Sequence, residues 1–479
     1  MNHDTNKTAS TLYWHDYETW GASPAQDKPS QFAGIRTDEN LNIIGEPESF
    51  YCRPTSDCLP HPEACLITQI TPQKALTEGL AEPDFIDRVH EQLAQSGTCG
   101  VGYNSIRFDD EITRNALFRN FYDPYEREWR NGNSRWDIID MVRLTYALRP
   151  ENIEWPQTNG MPSFKLEVLS NANGIEHNSA HDALADVYAT IALAKLIRRN
   201  QPKLYDYAYS LRDKRRVATY IDLDNRKPLL HVSSRFATIH GCAALVAPLA
   251  QHPHNKNSII CYNLAIDPEP LINLSADQIR ERVFSKAGEQ EYKEGMERIP
   301  LKEIHLNKSP MVVTPKMLTS DNAKRLQINK DLCEQHWQQL RNADIANKLA
   351  EVFQDTRPAN KDPEQQLYDG FINDHDRSLL MEIRRAQPDQ LSQFTQRLSD
   401  KRLQVLLFRY RARHYPQTLN AEEREYWDEW RYQRLTNPDY GASITLNDYF
   451  ECLDGLQQQA SSNQEVLKAL YEYGDSLLA

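Results

Sequence analysis

Asp16 and Glu18 stand two residues apart in the run Leu12-Tyr13-Trp14-His15-Asp16-Tyr17-Glu18-Thr19, which reads as a β-strand. Side chains alternate faces along a strand, so both carboxylates project from one side, close enough to share a cation. His15 points to the other side and reads as structural. Such an acidic pair is most often a solvated face, and it gains weight only from partners further along the chain. The segment Gly102-Tyr103-Asn104-Ser105-Ile106-Arg107-Phe108-Asp109-Asp110-Glu111 reads as a strand end turning into a helix and supplies Asp109, with Asp110 as the alternative. In Ala180-His181-Asp182-Ala183-Leu184-Ala185-Asp186-Val187, the residues Leu184, Val187, Ile191 and Ala194 recur at helical spacing. That places Asp186 in the first turns of a helix packed on a sheet, with His181 near its start.

Asp16, Glu18, Asp109, His181 and Asp186 thus form a constellation of four acids and one imidazole. Four carboxylates a few ångströms apart raise one another's pKa and need a counter-charge to stay ionised. An all-oxygen donor set favours Mg²⁺, with Mn²⁺ as a substitute, over zinc. Two such ions stabilise the attacking and the leaving oxygen of an in-line displacement at phosphorus. A neighbouring histidine, with a pKa near ~6.5, can take the proton from the attacking water. The chemistry implied is phosphodiester hydrolysis.

The elements that must hold these residues alternate between strand and helix from residue 10 to about 201: strands through Asp16, at Phe32 to Thr37, Ile43 to Tyr51 and Cys99 to Tyr103, and a helix from Pro83 to Gln95. This is an α/β domain with a mixed sheet. Residues 202–355 change texture, with short β-type runs at Val217 to Leu223, Pro228 to Val232, Cys242 to Val246, Ser258 to Leu264 and Glu303 to Leu306. Helices are expected at Ser275 to Ser285 and Lys330 to Phe353. The polar, proline-containing stretch from Asp355 to Pro363 reads as a linker. Beyond it, residues 356–479 read as an all-helical domain.

At 479 residues the chain is too long for one ordinary core, so two or three domains are expected. Eight scattered cysteines without a C-x-x-C pair imply reduced thiols. A polar N-terminus without a signal-peptide core, and no apolar stretch long enough for a bilayer, imply a cytoplasmic protein away from membranes. The net charge of −13 argues at first sight against a nucleic-acid ligand. Distribution matters more: between Lys195 and Lys227, ten basic residues face four aspartates, a local net charge of +6.

The three acidic blocks resemble the DEDD exonuclease superfamily, in the subtype with H-x-x-x-x-D as its last motif, met here by His181 and Asp186. The spacing from Asn104 to Phe108-Asp109 is one residue longer than in many members; Asp109, which follows the phenylalanine, is the preferred match. Further runs are similar to the bacterial exodeoxyribonuclease I family: His15-Asp16-Tyr17-Glu18-Thr19, Gln31-Phe32-Ala33-Gly34-Ile35-Arg36-Thr37-Asp38, Leu66-Ile67-Thr68-Gln69-Ile70-Thr71-Pro72, Arg119-Asn120-Phe121-Tyr122-Asp123-Pro124-Tyr125, Ala172-Asn173-Gly174-Ile175-Glu176-His177 and Leu407-Phe408-Arg409-Tyr410-Arg411-Ala412-Arg413. This resemblance spans nearly the whole chain. It implies a ribonuclease-H-like α/β exonuclease domain, a small β-rich SH3-like domain and a C-terminal helical domain. It also implies Mg²⁺-dependent, processive 3′→5′ degradation of single-stranded DNA to 5′-mononucleotides, in DNA repair and recombination, by a monomer.

Single-stranded DNA is held without sequence reading by cations on its phosphates and aromatic rings on its bases. The run Phe118 to Arg130 has that texture, although aromatics on helices more often pack a core. Tyr125 and Trp129 are the candidates there, alongside Arg114 and Arg143. The resemblance adds Lys165, with Glu18, at the terminal nucleotide, and Lys214 and Asn257 in the second domain. It also implies a basic pocket for the acidic, apolar C-terminal tail of single-stranded-DNA-binding protein, formed by Arg149, Tyr207, Lys227 and Arg341, with Thr314 as a departure. The run Phe408 to Tyr415 either faces DNA or anchors its domain; buried-type spacing of Leu406, Leu407 and Tyr410 favours the anchor. An RNA-directed exonuclease and a non-catalytic nucleic-acid scaffold are the rival readings. Five titratable groups kept in register count against the scaffold.

Overall fold

In the computed structural model, the structure describes residues 10–177, 182–284, 298–354, 362–459 and 463–477. They pack as two compact units, one drawn from Met1–Ser134, His177–Ile191 and Pro358–Ala479, the other from Arg135–Glu176 and Ala192–Arg357. His181 and most of the expected linker lie outside the described residues.

In the first unit, strands β1 (Thr11–Thr19), β2 (Pro29–Asp38), β3 (Glu48–Tyr51) and β4 (Thr98–Gly102) lie side by side in the order β3-β2-β1-β4. β1 runs antiparallel to β2, with Asp16 opposite Ala33 and Glu18 opposite Gln31, and parallel to β4 from Thr11 to Trp14. The third strand is shorter than the sequence suggests, since Ile43 makes only an isolated bridge to Thr37. On one face of β1, Tyr13 and Tyr17 join Phe32, Phe50, Phe85, Ile86, Val89, Ile112 and Leu117 in a buried cluster. His15 is buried on that same face, its ring 6.1 Å from Phe32. The helices Glu82–Leu93 and Asp109–Arg119 cover this face because Phe85, Ile86, Val89 and Leu93 form one apolar stripe on the first of them. On the opposite face Leu12 and Trp14 are buried, and Asp16 and Glu18 follow them toward the end of the strand.

The C-terminal helices share cores with the N-terminal segment. Trp20, Leu59 and Ile70 pack with Tyr449, Leu453, Leu467 and Leu470, and Phe118 and Phe121 pack with Leu379, Leu403, Leu406, Leu407 and Tyr410. The basic run on the helix Lys401–His414 is therefore an anchor: Arg413 donates to Asp57, Arg411 to Glu423 and Arg409 to Asp362, at 2.5–3.1 Å.

In the second unit, five strands pair antiparallel in the order Leu301–His305, Ser258–Asn263, Ala243–Gln251, Leu229–Val232, Met311–Val313. The expected strand at Val217 to Leu223 is instead the end of a helical turn, Lys214–Ala218, followed by turns. Asp213 caps that turn by accepting from the Arg215 N–H at 2.9 Å, and this local capping outweighs the β-propensity of Val217 and Tyr220. The single helix expected at Lys330 to Phe353 breaks into Lys330–Arg341 and Ala346–Val352. Arg226 donates to the carbonyls of Leu340 and Ala343 at the break, satisfying the first helix's free end.

Candidate active site

The acidic site assembles at the C-terminal end of β1, on the face that carries Asp16 and Glu18. One carboxylate oxygen each from Asp16, Glu18 and Asp186 lies within 4.8 Å of the others. Asp186 is in the first turn of the helix Ala183–Asn200, which Asp182 caps by accepting from the N–H groups of Leu184 and Ala185 at 3.2 and 3.1 Å. The sequence reading missed Asp182, whose charge adds to the acidic group from the cap position.

Asp109 opens the helix Asp109–Arg119, at the positive end of its dipole. Its Oδ1 accepts from the Tyr17 N–H at 3.1 Å. Asp110 instead pairs with the buried Arg127 at 2.6 Å, which separates the two adjacent aspartates. Gly102 permits the turn from β4 toward this helix: a Cβ there would lie 2.6 Å from the Cβ of Ser105 and 3.0 Å from the His15 carbonyl oxygen. Asn104 then takes a left-handed conformation at φ 65°.

Burial, then the charges of Asp109, Glu18 and Asp186, hold the Asp16 carboxyl well above the usual carboxylate range. Burial, then Asp186 and Asp109, push Glu18 up in the same way. Clustered carboxylates that suppress one another's ionisation fit a divalent cation, which restores their charged form, and their all-oxygen chemistry fits a hard one. Asp16, Glu18 and Asp186 would hold it, with Asp109 alongside. His177, outside the sequence candidates, contacts Asp186 Oδ1 through Nε2.

The other candidates fall into distinct places. Arg114 is buried and forked onto Glu128 at 2.7 and 2.8 Å, with Glu111 and the Tyr368 hydroxyl on its remaining nitrogen. Phe118, Phe121 and Tyr122 are core residues, whereas Trp129 is 67% exposed. Tyr125 is half-buried, its ring 6.4 Å from Tyr368 and 6.2 Å from Phe371, both exposed. Tyr368 and Phe371 lie some 240 positions from Tyr125, so no local pattern pointed to them. In the second unit, Arg143 pairs with Asp140 at 2.6 Å, Lys165 is exposed at the start of the helix Leu166–Ala172, and Lys214 Nζ donates to Asn257 Oδ1 at 3.3 Å.

A cavity of about 500 Å³ in the second unit brings together Arg149, Tyr207 and Thr314 with Lys203, Leu148 and Met317. Lys227 and Arg341 are not in its lining; the first pairs with Asp222 at 2.8 Å and the second lies over the Trp337 ring. Lys203 belongs to the basic stretch seen in the sequence, yet only the fold places it here.

A mixed sheet with this acidic group at its centre defines an exonuclease domain, and residues 13–194 match the family model described as Exonuclease. Residues 212–355 match the Exonuclease I SH3-like domain and residues 361–477 the Exonuclease I C-terminal domain. The chain is 44% identical to exodeoxyribonuclease I of Escherichia coli (strain K12), covering 98% of this chain and 99% of that protein, and 43% identical to its namesake from Haemophilus influenzae, at the same coverage. Among solved structures, a moderately thermophilic exonuclease I from Methylocaldum szegediense superposes with a TM-score of 0.93 at 49% identity, covering 98% of this chain and all of that one. The E. coli enzyme in complex with a dA16 oligonucleotide superposes with a TM-score of 0.92 at 44% identity, at the same coverage. The chain belongs to the exodeoxyribonuclease I family and is accordingly a phosphodiester hydrolase with a divalent-metal site. Among the described residues, no helix is long and apolar enough to cross a membrane.

Proposed function

We propose that the acidic group on β1 hydrolyses single-stranded DNA from its 3′ end, releasing 5′-mononucleotides, with two Mg²⁺ ions held by Asp16, Glu18, Asp109 and Asp186. The convergence of Asp16, Glu18 and Asp186 within 4.8 Å carries this reading. When bound, the ions offset charge on the attacking and leaving oxygens. The protein's part is to hold four carboxylates on rigid elements, two on a strand and two in the first turns of helices. His181 takes the proton from the attacking water, and its removal lowers turnover by roughly 10²–10⁴. Glu18 and Lys165 hold the terminal nucleotide. Arg114, Arg143, Lys214 and Asn257 line the path of the strand, with Tyr125 and Trp129 as stacking platforms to which Tyr368 and Phe371 add.

The cavity at Arg149 and Tyr207 suits the acidic, apolar C-terminal tail of single-stranded-DNA-binding protein: apolar walls take its side chains, and Arg149 and Lys203 its carboxylates. Lys227 and Arg341 act as outlying cations. The chain works as a cytoplasmic monomer in DNA repair and recombination, processively, with functional segments at residues 10–201, 202–355 and 356–479.

A time course on 5′-labelled single-stranded DNA, duplex DNA and single-stranded RNA, with Mg²⁺ or EDTA, tests the reading. A ladder shortening from the 3′ end of single-stranded DNA alone, lost with EDTA and in Asp186→Ala, supports it. Equal attack on RNA moves the assignment to an RNA-directed exonuclease, and binding without cleavage to a scaffold.

A further inference from the structure

Asp186 has a partner that the proposed reaction does not use. His177 lies nine positions before it, with a side chain 2% exposed, and its Nε2 faces Asp186 Oδ1. The other ring nitrogen, Nδ1, is buried and has no hydrogen-bond partner among the described residues. With the cation bound, Asp186 is a carboxylate and offers no proton, so the nitrogen facing it is the donor.

We propose that His177 is a positioning residue for the metal site: it holds Oδ1 of Asp186 by donating from Nε2, so that the carboxylate keeps the orientation in which it converges with Asp16 and Glu18. This rests on the reading of Asp186 as a metal-holding residue. Asp186 is 17% exposed and sits one turn into its helix, where a free carboxylate rotates about its χ angles. Asp109 is steadied by the Tyr17 amide, and His177 does for Asp186 what that amide does for Asp109. Carboxylates at metal sites are themselves commonly hydrogen-bonded, and losing such a partner typically costs 10–100-fold in metal affinity or activity. His177 is not a second general base. Its Nε2 is already engaged, and its ring is closed to solvent, so no lone pair faces a water.

The test compares His177→Ala and His177→Gln with the parent chain by Mn²⁺ binding, read from the free-ion electron paramagnetic resonance signal, alongside kcat across a Mn²⁺ titration. Glutamine places an N–H near the position of Nε2. The expected result is Mn²⁺ binding weakened about 10–100-fold in His177→Ala, with most of kcat recovered at saturating Mn²⁺ and affinity largely restored in His177→Gln. Unchanged Mn²⁺ affinity in His177→Ala overturns the inference, and so does a kcat that stays low at saturating metal, since that marks a role in the chemical step. Equal loss of binding in both variants also overturns it, because it reports packing rather than hydrogen bonding. Asp186→Asn separates the two levels. If it leaves Mn²⁺ binding intact, the metal-site reading fails; if it removes binding while His177→Ala does not, only the role of His177 fails.

Discussion

The backbone N–H of Tyr17 donates to Asp109 Oδ1 at 3.1 Å across 92 positions of sequence. Tyr17 lies between Asp16 and Glu18, so one amide of β1 fixes a third carboxylate beside the first two. The amide is free to do so because β4 pairs with β1 only as far as Trp14. Its ring, on the other side, is buried in the aromatic core. Asp109→Asn keeps the accepting oxygen and removes the charge. It should abolish hydrolysis and, by relieving its repulsion of Asp16 and Glu18, raise the Tm in EDTA, while leaving single-stranded DNA affinity near that of the parent, as read by calorimetry and fluorescence anisotropy. Substantial residual turnover would remove Asp109 from the metal set.

The acidic site sets the pH dependence of the metal-free protein. Burial and neighbouring carboxylates push Glu18 up to about 9. The unfolded value is about 4.3. Across that interval the fold binds the proton more tightly than the unfolded chain, so this group's contribution to stability falls as pH rises from about 4.3 to about 9. In EDTA the Tm should decline over that range, and the increment from added Mg²⁺ should grow with pH. Asp16→Asn removes one charge from the group and should stabilise the metal-free fold by about 0.5–2 kcal/mol, with no Mg²⁺ increment. A lower Tm for that variant in EDTA would falsify the repulsion argument.

Opposite signs hold at the buried ion pairs. Burial alone would raise Glu82; Arg119 and then Lys28 reverse this and hold it at about 2. Its contribution is complete above the unfolded value of about 4.3 and is lost as pH falls toward about 2. Asp57, fully enclosed by Lys28, Arg413 and Arg434, lies well below the usual range for the same reason. Asp57→Asn leaves buried cations underpaired and should cost about 3–5 kcal/mol in urea unfolding at neutral pH. A loss of less than about 1 kcal/mol would mean that the cations find other partners.

Trp129 and Phe371 are large and exposed, with Phe371 set edge-on to the ring of Tyr125. If bases stack on them, each alanine substitution should weaken single-stranded DNA binding by about 1–3 kcal/mol. The slope of log affinity against log salt should stay as in the parent, because no cation is lost. A reduced slope, or an unchanged affinity, counts against stacking.

Arg149 lines the cavity of the second unit and Lys227 does not. For a labelled peptide with an acidic, apolar C-terminus, Arg149→Ala should therefore weaken binding about tenfold or more, a loss of roughly 1.5–3 kcal/mol for a charge-assisted hydrogen bond. Lys227→Ala should act severalfold less, through screened charge alone. Equal effects in fluorescence anisotropy would place the peptide outside the cavity.

Much of this protein was legible before folding. Period-two alternation in β1 put Asp16 and Glu18 on one face and His15 and Tyr17 on the other, and helical spacing placed Asp186 in a first turn, because strand and helix periods are local properties of the backbone. The choice between Asp109 and Asp110 was not local. Arg127 takes Asp110 and the Tyr17 amide takes Asp109, reaching the two carboxylates from elements 17 and 92 positions away. Capping by Asp213 overrode the β-type composition after it, and Arg226 ended a helix from 114 positions away. The contact of His177 with Asp186, the ring of Tyr125 against Phe371 and the meeting of Arg149 with Tyr207 likewise carry no periodic signal. The sequence by itself determined which residues could do the chemistry and the elements that carry them, since alternation and capping act within a few residues. Tertiary structure alone decided which carboxylates meet a counter-charge and which converge on one another, because that balance depends on distances between segments that local propensity does not encode.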